Sequence, residues 1–129
     1  MICLDANFLI GGVIKERPES RHLLAWFAAG ERFCTAAPAW YEFLCGPVES
    51  SHVNTMLAFL TEGIVAFEES QARTAARLFN SVKRPRRLRV DAMIAATAIC
   101  RQSRLATLNP EDFALFVPHG LEIATLPGS

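Results

Sequence analysis

Aspartate is scarce in this 129-residue chain, which has only Asp5, Asp91 and Asp112. Net charge is missing as well: 13 Lys and Arg balance 13 Asp and Glu, and the sequence pI is about 6.8. Global charge therefore gives no reason to expect nucleic acid or a membrane surface as a partner, and any such argument has to be local. Cys3, Cys34, Cys45 and Cys100 form no CxxC pair and no Cys/His zinc pattern. All four lie in apolar runs, which predicts buried, reduced thiols in a cytoplasmic protein. No run reaches the roughly 18 apolar residues that a membrane-crossing helix needs. The opening apolar run is cut by Asp5 and has no basic leader, so no secretory signal is expected. Repeats and low-complexity linkers are also missing.

What is present suits one α/β domain spanning residues 1–129. With 51% hydrophobic residues, the chain can bury a core without disulfide staples. Short apolar runs at Ile2–Asp5, Phe33–Thr35, Ile64–Phe67, Leu105–Thr107 and Leu121–Ala124 read as strands. Between them, helices are expected at Ala6–Ile14, Pro18–Ala29, Pro38–Cys45, Ser50–Leu60, Glu68–Val82, Val90–Gln102 and Pro110–Ala114. Strands alternating with helices predict a parallel sheet covered on both faces. In such sheets, sites lie beyond the carboxyl ends of the strands.

Two of the scarce aspartates, Asp5 and Asp112, fall at such places. Asp5 ends the first strand, Asp91 opens a helix that is apolar almost all round, and Asp112 follows the fourth strand and a turn. Glu42 joins them as the only charged residue between Phe33 and Val48. A carboxylate set in apolar sequence is costly to bury unless a cation meets it. Each acid also has a plainer reading. Asp5 could be a helix cap, Glu42 one solvent-facing residue on an amphipathic helix, and Asp91 a partner of the helix dipole. Asn109-Pro110-Glu111-Asp112 reads as a complete helix start, with Asn109 as N-cap and Glu111 as the acid most easily mistaken for Asp112. Together the four acids would make a site for a divalent cation with hard oxygen ligands.

Just before Asp91 runs a basic segment, with Lys83, Arg84, Arg86, Arg87 and Arg89. It could hold the phosphates of a nucleic acid beside the acids, or be a solvated loop. His22, His52 and His119 lie outside all of these segments and read as surface or packing residues.

Four segments, in this order, resemble the PIN-domain ribonucleases, in particular the toxin nucleases of VapBC-type toxin–antitoxin pairs. Ile2–Ile10 looks like that family's opening strand and first acid, and Tyr41–Leu44 like its second. Val90–Ala96 looks like the third acid's segment and Ala106–Phe113 like the closing motif. The intervals are compatible with the family, and the resemblance covers nearly the whole chain. It implies a three-layer α/β/α sandwich on a short, mainly parallel sheet. It further implies RNA cleavage with Mg²⁺ or Mn²⁺ held by Asp5, Glu42, Asp91 and Asp112, with Asn7 and Thr107 orienting the carboxylates. An antitoxin partner and a homodimer are also implied. Two other readings compete: a PIN-like module that binds RNA or protein without cutting, and a phosphatase with Asp5 as nucleophile. The latter class wants a second Asp where this chain has Asn7, and a Lys before the final acids that is missing here.

Overall fold

The computed structural model describes residues 1–127. Four short strands form one parallel sheet in the order β3-β2-β1-β4: β1 (Ile2–Leu4), β2 (Phe33–Ala36), β3 (Ile64–Val65) and β4 (Arg104–Ala106). Cys3 sits opposite Cys34 on one side and Leu105 on the other. The strands are apolar without alternation because the sheet is covered on both faces. All residues of β1 and β2 are buried.

Seven helices flank the sheet, completing an α/β/α sandwich: α1 (Ala6–Gly12), α2 (Pro18–Ala28), α3 (Ala37–Cys45), α4 (Ser50–Phe59), α5 (Glu69–Ser81), α6 (Arg89–Cys100) and α7 (Pro110–Phe113). Helix α6 is the central one. Its run of small residues, Ala92, Ala95, Ala96 and Ala98, lets it pack closely against β2, β4 and α5. Phe8, Phe33, Phe43, Phe113 and Phe116 fill the largest fully buried volumes. Gly11 lets α1 and α2 approach closely, since a Cβ there would lie 1.7 Å from Glu19 Oε2 and the Glu19 side chain would have to shift. Among the described residues, no helix is long and apolar enough to cross a membrane.

Several sequence expectations need correction. The third strand stops at Val65 rather than Phe67, because its partner β2 ends at Ala36, which caps α3. The strand expected over Leu121–Ala124 is a single parallel bridge at Ile123. In a three-residue parallel strand, alternate residues bond alternate neighbours. Arg104 N–H bonds Met1 and Ala106 C=O bonds Asp5, both toward β1, which leaves only Leu105 to face outward. Two 3₁₀ turns, Arg86–Leu88 and Ala114–His119, were not anticipated. Cys3 and Cys34 are buried as expected, but Cys45 and Cys100 are exposed. Both are the last residue of their helix, and an apolar run does not reveal which way its final turn faces.

Candidate acidic site

The site is built on the carboxyl ends of the neighbouring strands β1 and β4. Asp5 follows β1 directly and is the N-cap of α1. Its extended backbone (φ −73°, ψ 163°) lets Oδ1 accept the Ala6 N–H at 2.8 Å. The capping reading is therefore correct for one oxygen. The other, Oδ2, accepts the Thr107 hydroxyl at 2.8 Å from just beyond β4. Thr107 Oγ1 in turn accepts the Asn109 N–H at 3.0 Å, which pins the turn leading to α7. Asp5 is only 6% exposed, and no cation pairs with it among the described residues.

Asp91 enters from the first turn of α6 and is half-buried. Burial, then repulsion from Asp5, Asp112 and Glu42, pushes its pKa up to about 6, with Arg87 pulling the other way. Burial also raises the Asp5 pKa. The Thr107 and Ala6 hydrogen bonds oppose that rise, and the Asp112 charge adds to it. Glu42 is raised by desolvation and by the Asp5 charge, although it stands on an exposed position of α3. Asp91 thus feels the other three acids, Asp5 feels Asp112, and Glu42 feels Asp5, which links the four electrostatically. They come from four different elements: the start of α1, α3, α6 and α7.

Asp112, on α7, is half-buried and pairs with Arg87 Nη1 at 3.1 Å. Glu111 beside it is exposed and takes no part in the repulsion felt by the other acids. Asn109 occupies the N-cap position of α7, but its side chain makes no capping bond. Asn7 Oδ1 is buried without a hydrogen-bond partner.

The basic segment adjoins this cluster. Lys83 and Arg84 turn the chain out of α5 with left-handed backbones, φ 68° and 56°, a conformation that costs a non-glycine residue about 1 kcal/mol or more. Arg84 Nε donates to Asn80 at 2.8 Å, back onto α5. Leu88, fully buried, anchors the 3₁₀ turn and so fixes where Arg86 and Arg87 project. Lys83, Arg86 and Arg89 make no side-chain hydrogen bond or ion pair within the described chain.

The donor set suits a hard divalent cation. It is all oxygen, its members repel one another, and the unpartnered Asn7 Oδ1 lies two residues from Asp5. Among the described residues, however, no three acid, histidine or cysteine side chains stand close enough to grip one ion as they are placed. Two of the three histidines are used elsewhere. His22 packs against the rings of Phe8 and Trp26, and His52 closes the capping box of α4. Glu19 is an acid that sequence reasoning passed over. It is buried on α2 and paired with Arg17 at 3.1 Å, and takes no part in the repulsion within the cluster.

Comparison with solved structures gives three strong fold matches. A toxin–antitoxin complex from Klebsiella pneumoniae aligns at 24% identity and TM-score 0.69, covering 88% of this chain and 91% of the other. VapBC2 from Rickettsia felis, bound to a DNA fragment from its promoter, aligns at 18% identity and TM-score 0.75, covering 96% and 98%. DNA-bound VapBC from Salmonella typhimurium aligns at 18% identity and TM-score 0.71, covering 95% and 96%. No curated protein matches the chain by sequence. The family model described as "PIN domain" matches residues 2–115. The chain therefore belongs to the PIN domain family, whose fold its four-stranded parallel sheet and seven flanking helices reproduce.

Proposed function

We propose that this chain is a metal-dependent endoribonuclease that hydrolyses RNA phosphodiester bonds at the cluster of Asp5, Glu42, Asp91 and Asp112. The observation that supports this reading is the repulsion linking four carboxylates drawn from four separate elements, with Asp5 at the carboxyl end of β1 and Asp112 beyond that of β4. Mutual repulsion of this kind has a cost, and a site that binds a cation recovers it. Mg²⁺ or Mn²⁺ suits the oxygen donors best.

In this reading Asp5, Glu42 and Asp91 hold the ion, and Asp112 completes the site. Thr107 and the Ala6 N–H fix the Asp5 carboxylate, so it needs no reorganisation when substrate arrives. The unpartnered Asn7 Oδ1 is available to orient a neighbour in the site. A divalent cation supplies Lewis acidity, activating water and neutralising the charge that builds on a phosphodiester during in-line displacement. Lys83, Arg86 and Arg89, with Arg84 and Arg87 beside them, hold the flanking phosphates. No histidine or cysteine is needed for this chemistry.

The same reading makes the chain the toxin of a toxin–antitoxin pair, acting in the cytoplasm as a homodimer and checked by a cognate antitoxin. Support comes from the fold matches, whose solved forms are toxin–antitoxin assemblies. Exposed Leu24 and Phe27 on α2 and Tyr41 on α3 are apolar surface of the kind a protein partner covers. The test is cleavage of a labelled RNA panel in Mg²⁺ or Mn²⁺. Cleavage that EDTA abolishes supports the reading. Stable binding without cleavage would favour a PIN-like RNA-binding module instead.

A further inference from the structure

Arg87 stands where the basic and acidic halves of the site meet. Among the described residues it is the only cation paired with any acid of the cluster. Its contact with Asp112 joins two segments held by different parts of the fold: a 3₁₀ turn anchored by buried Leu88, and α7 anchored by buried Phe113. The guanidinium charge is felt at Asp91 as well, so Arg87 acts on the cluster and not on one exposed neighbour alone. Guanidinium is a permanent cation that gives up no proton near neutral pH. A divalent ion seeking Asp112 therefore meets an opponent of fixed charge already hydrogen-bonded to Oδ1.

We infer that Arg87 competes with the divalent cation for Asp112, the guanidinium and the ion holding that carboxylate in turn, so that this one side chain sets the cation concentration at which the site loads. The inference rests on the proposed metal site and adds a positioning residue that regulates it. The consequence is a threshold. Removing the guanidinium frees Asp112 for the ion, while removing an equal charge nearby that touches no acid leaves the competition in place. Arg86 is that neighbour, in the same turn and without a pairing partner.

The test is the Mn²⁺ dissociation constant of the full chain, read by titration calorimetry without RNA. Five proteins are compared: wild type, Arg87→Gln, Arg86→Gln, Asp112→Asn, and Arg87→Gln combined with Asp112→Asn. Far-UV circular dichroism confirms that each is folded. Arg87→Gln is expected to bind Mn²⁺ about twofold to fivefold tighter, the equivalent of releasing an exposed ion pair. Arg86→Gln should change it by less than about 1.5-fold, because its charge is screened and touches no acid. In the Asp112→Asn background, Arg87→Gln should have a clearly smaller effect, the remainder being its charge acting on Asp91. Mn²⁺ binding that is unchanged or weaker in Arg87→Gln, or equally tightened by Arg86→Gln, overturns the competition and leaves the metal site standing. No Mn²⁺ binding by any of the five overturns the metal reading, and this inference with it.

Discussion

Thr107 and Asp5, far apart in the chain, are joined by a 2.8 Å hydrogen bond from Oγ1 to Oδ2. The bond spans the ends of β4 and β1, and with the Ala6 N–H it leaves the Asp5 carboxylate little freedom to turn. Thr107→Val keeps the shape and deletes the donor. Groups that orient a metal ligand in this way are typically worth about 10- to 100-fold in affinity or activity. The variant should lose RNA cleavage on that scale, with an unfolding cost of about 1–3 kcal/mol for the unpaired buried carboxylate oxygen. Thr107→Ser should restore most of the activity. Full activity in Thr107→Val would show that Asp5 does not depend on this bond.

The acid cluster also makes stability depend on pH. Asp91 has a folded-state pKa of about 6, against an ordinary aspartate value near 3.9. The folded chain binds this proton more tightly than the unfolded chain. The contribution to stability is therefore complete below about pH 4 and is lost as pH rises through about 6. Asp5 and Glu42 shift in the same direction. In EDTA, Tm should fall between about pH 4 and pH 6 from these groups. Asp91→Asn should flatten that fall and be the more stable protein at about pH 7.5, by an amount on the order of 1 kcal/mol after allowing for partial exposure. A Tm in EDTA that rises over the same interval in wild type, and equally in Asp91→Asn, would contradict the repulsion.

Lys83 and Arg86 are exposed and unpaired among the described residues. If they hold phosphates, Lys83→Gln with Arg86→Gln weakens RNA binding and reduces its salt dependence. For single-stranded RNA, each lost phosphate contact should lower the slope of log affinity against log salt by about 0.7. Binding measured by fluorescence anisotropy across a salt series checks this. An unchanged slope would return these residues to the solvated-loop reading.

Thiol chemistry separates the four cysteines. Cys45 and Cys100 are exposed and should react with a thiol reagent promptly. Cys3 and Cys34 lie side by side on β1 and β2 with no accessible surface, and should react only as fast as the sheet opens. Mass spectrometry over a time course should find two labels early and four only in denaturant. Four early labels would mean that the sheet is far less protected than its packing implies.

Much of this site can be read in the sequence because an acid interrupting an apolar run is visible there. Asp5 after Ile2–Leu4 and Asp91 within α6 are the clearest cases, and the alternation of strands and helices places Asp5 at a strand end. Other features depend on three-dimensional proximity that no local pattern encodes. The Arg87–Asp112 pair forms because α6 and β4 carry the chain back on itself between the two residues. Ile123 bridges at one residue only because β4 is three residues long. Cys45 and Cys100 sit in apolar runs yet face solvent, since burial is set by helix phase against the core and not by composition. Of the aromatics, Trp26 is buried and Phe27, its neighbour on α2, is exposed and stacks on half-buried Phe59.

RNA cleavage is proposed at the acid cluster. The most direct measurement compares wild type with Asp91→Asn, purified identically, on a labelled RNA in Mn²⁺, with circular dichroism showing both folded. Cleavage by the wild type, abolished by EDTA and reduced by at least about 100-fold in Asp91→Asn, is the result predicted here. Equal cleavage by the two proteins would place the activity outside this cluster.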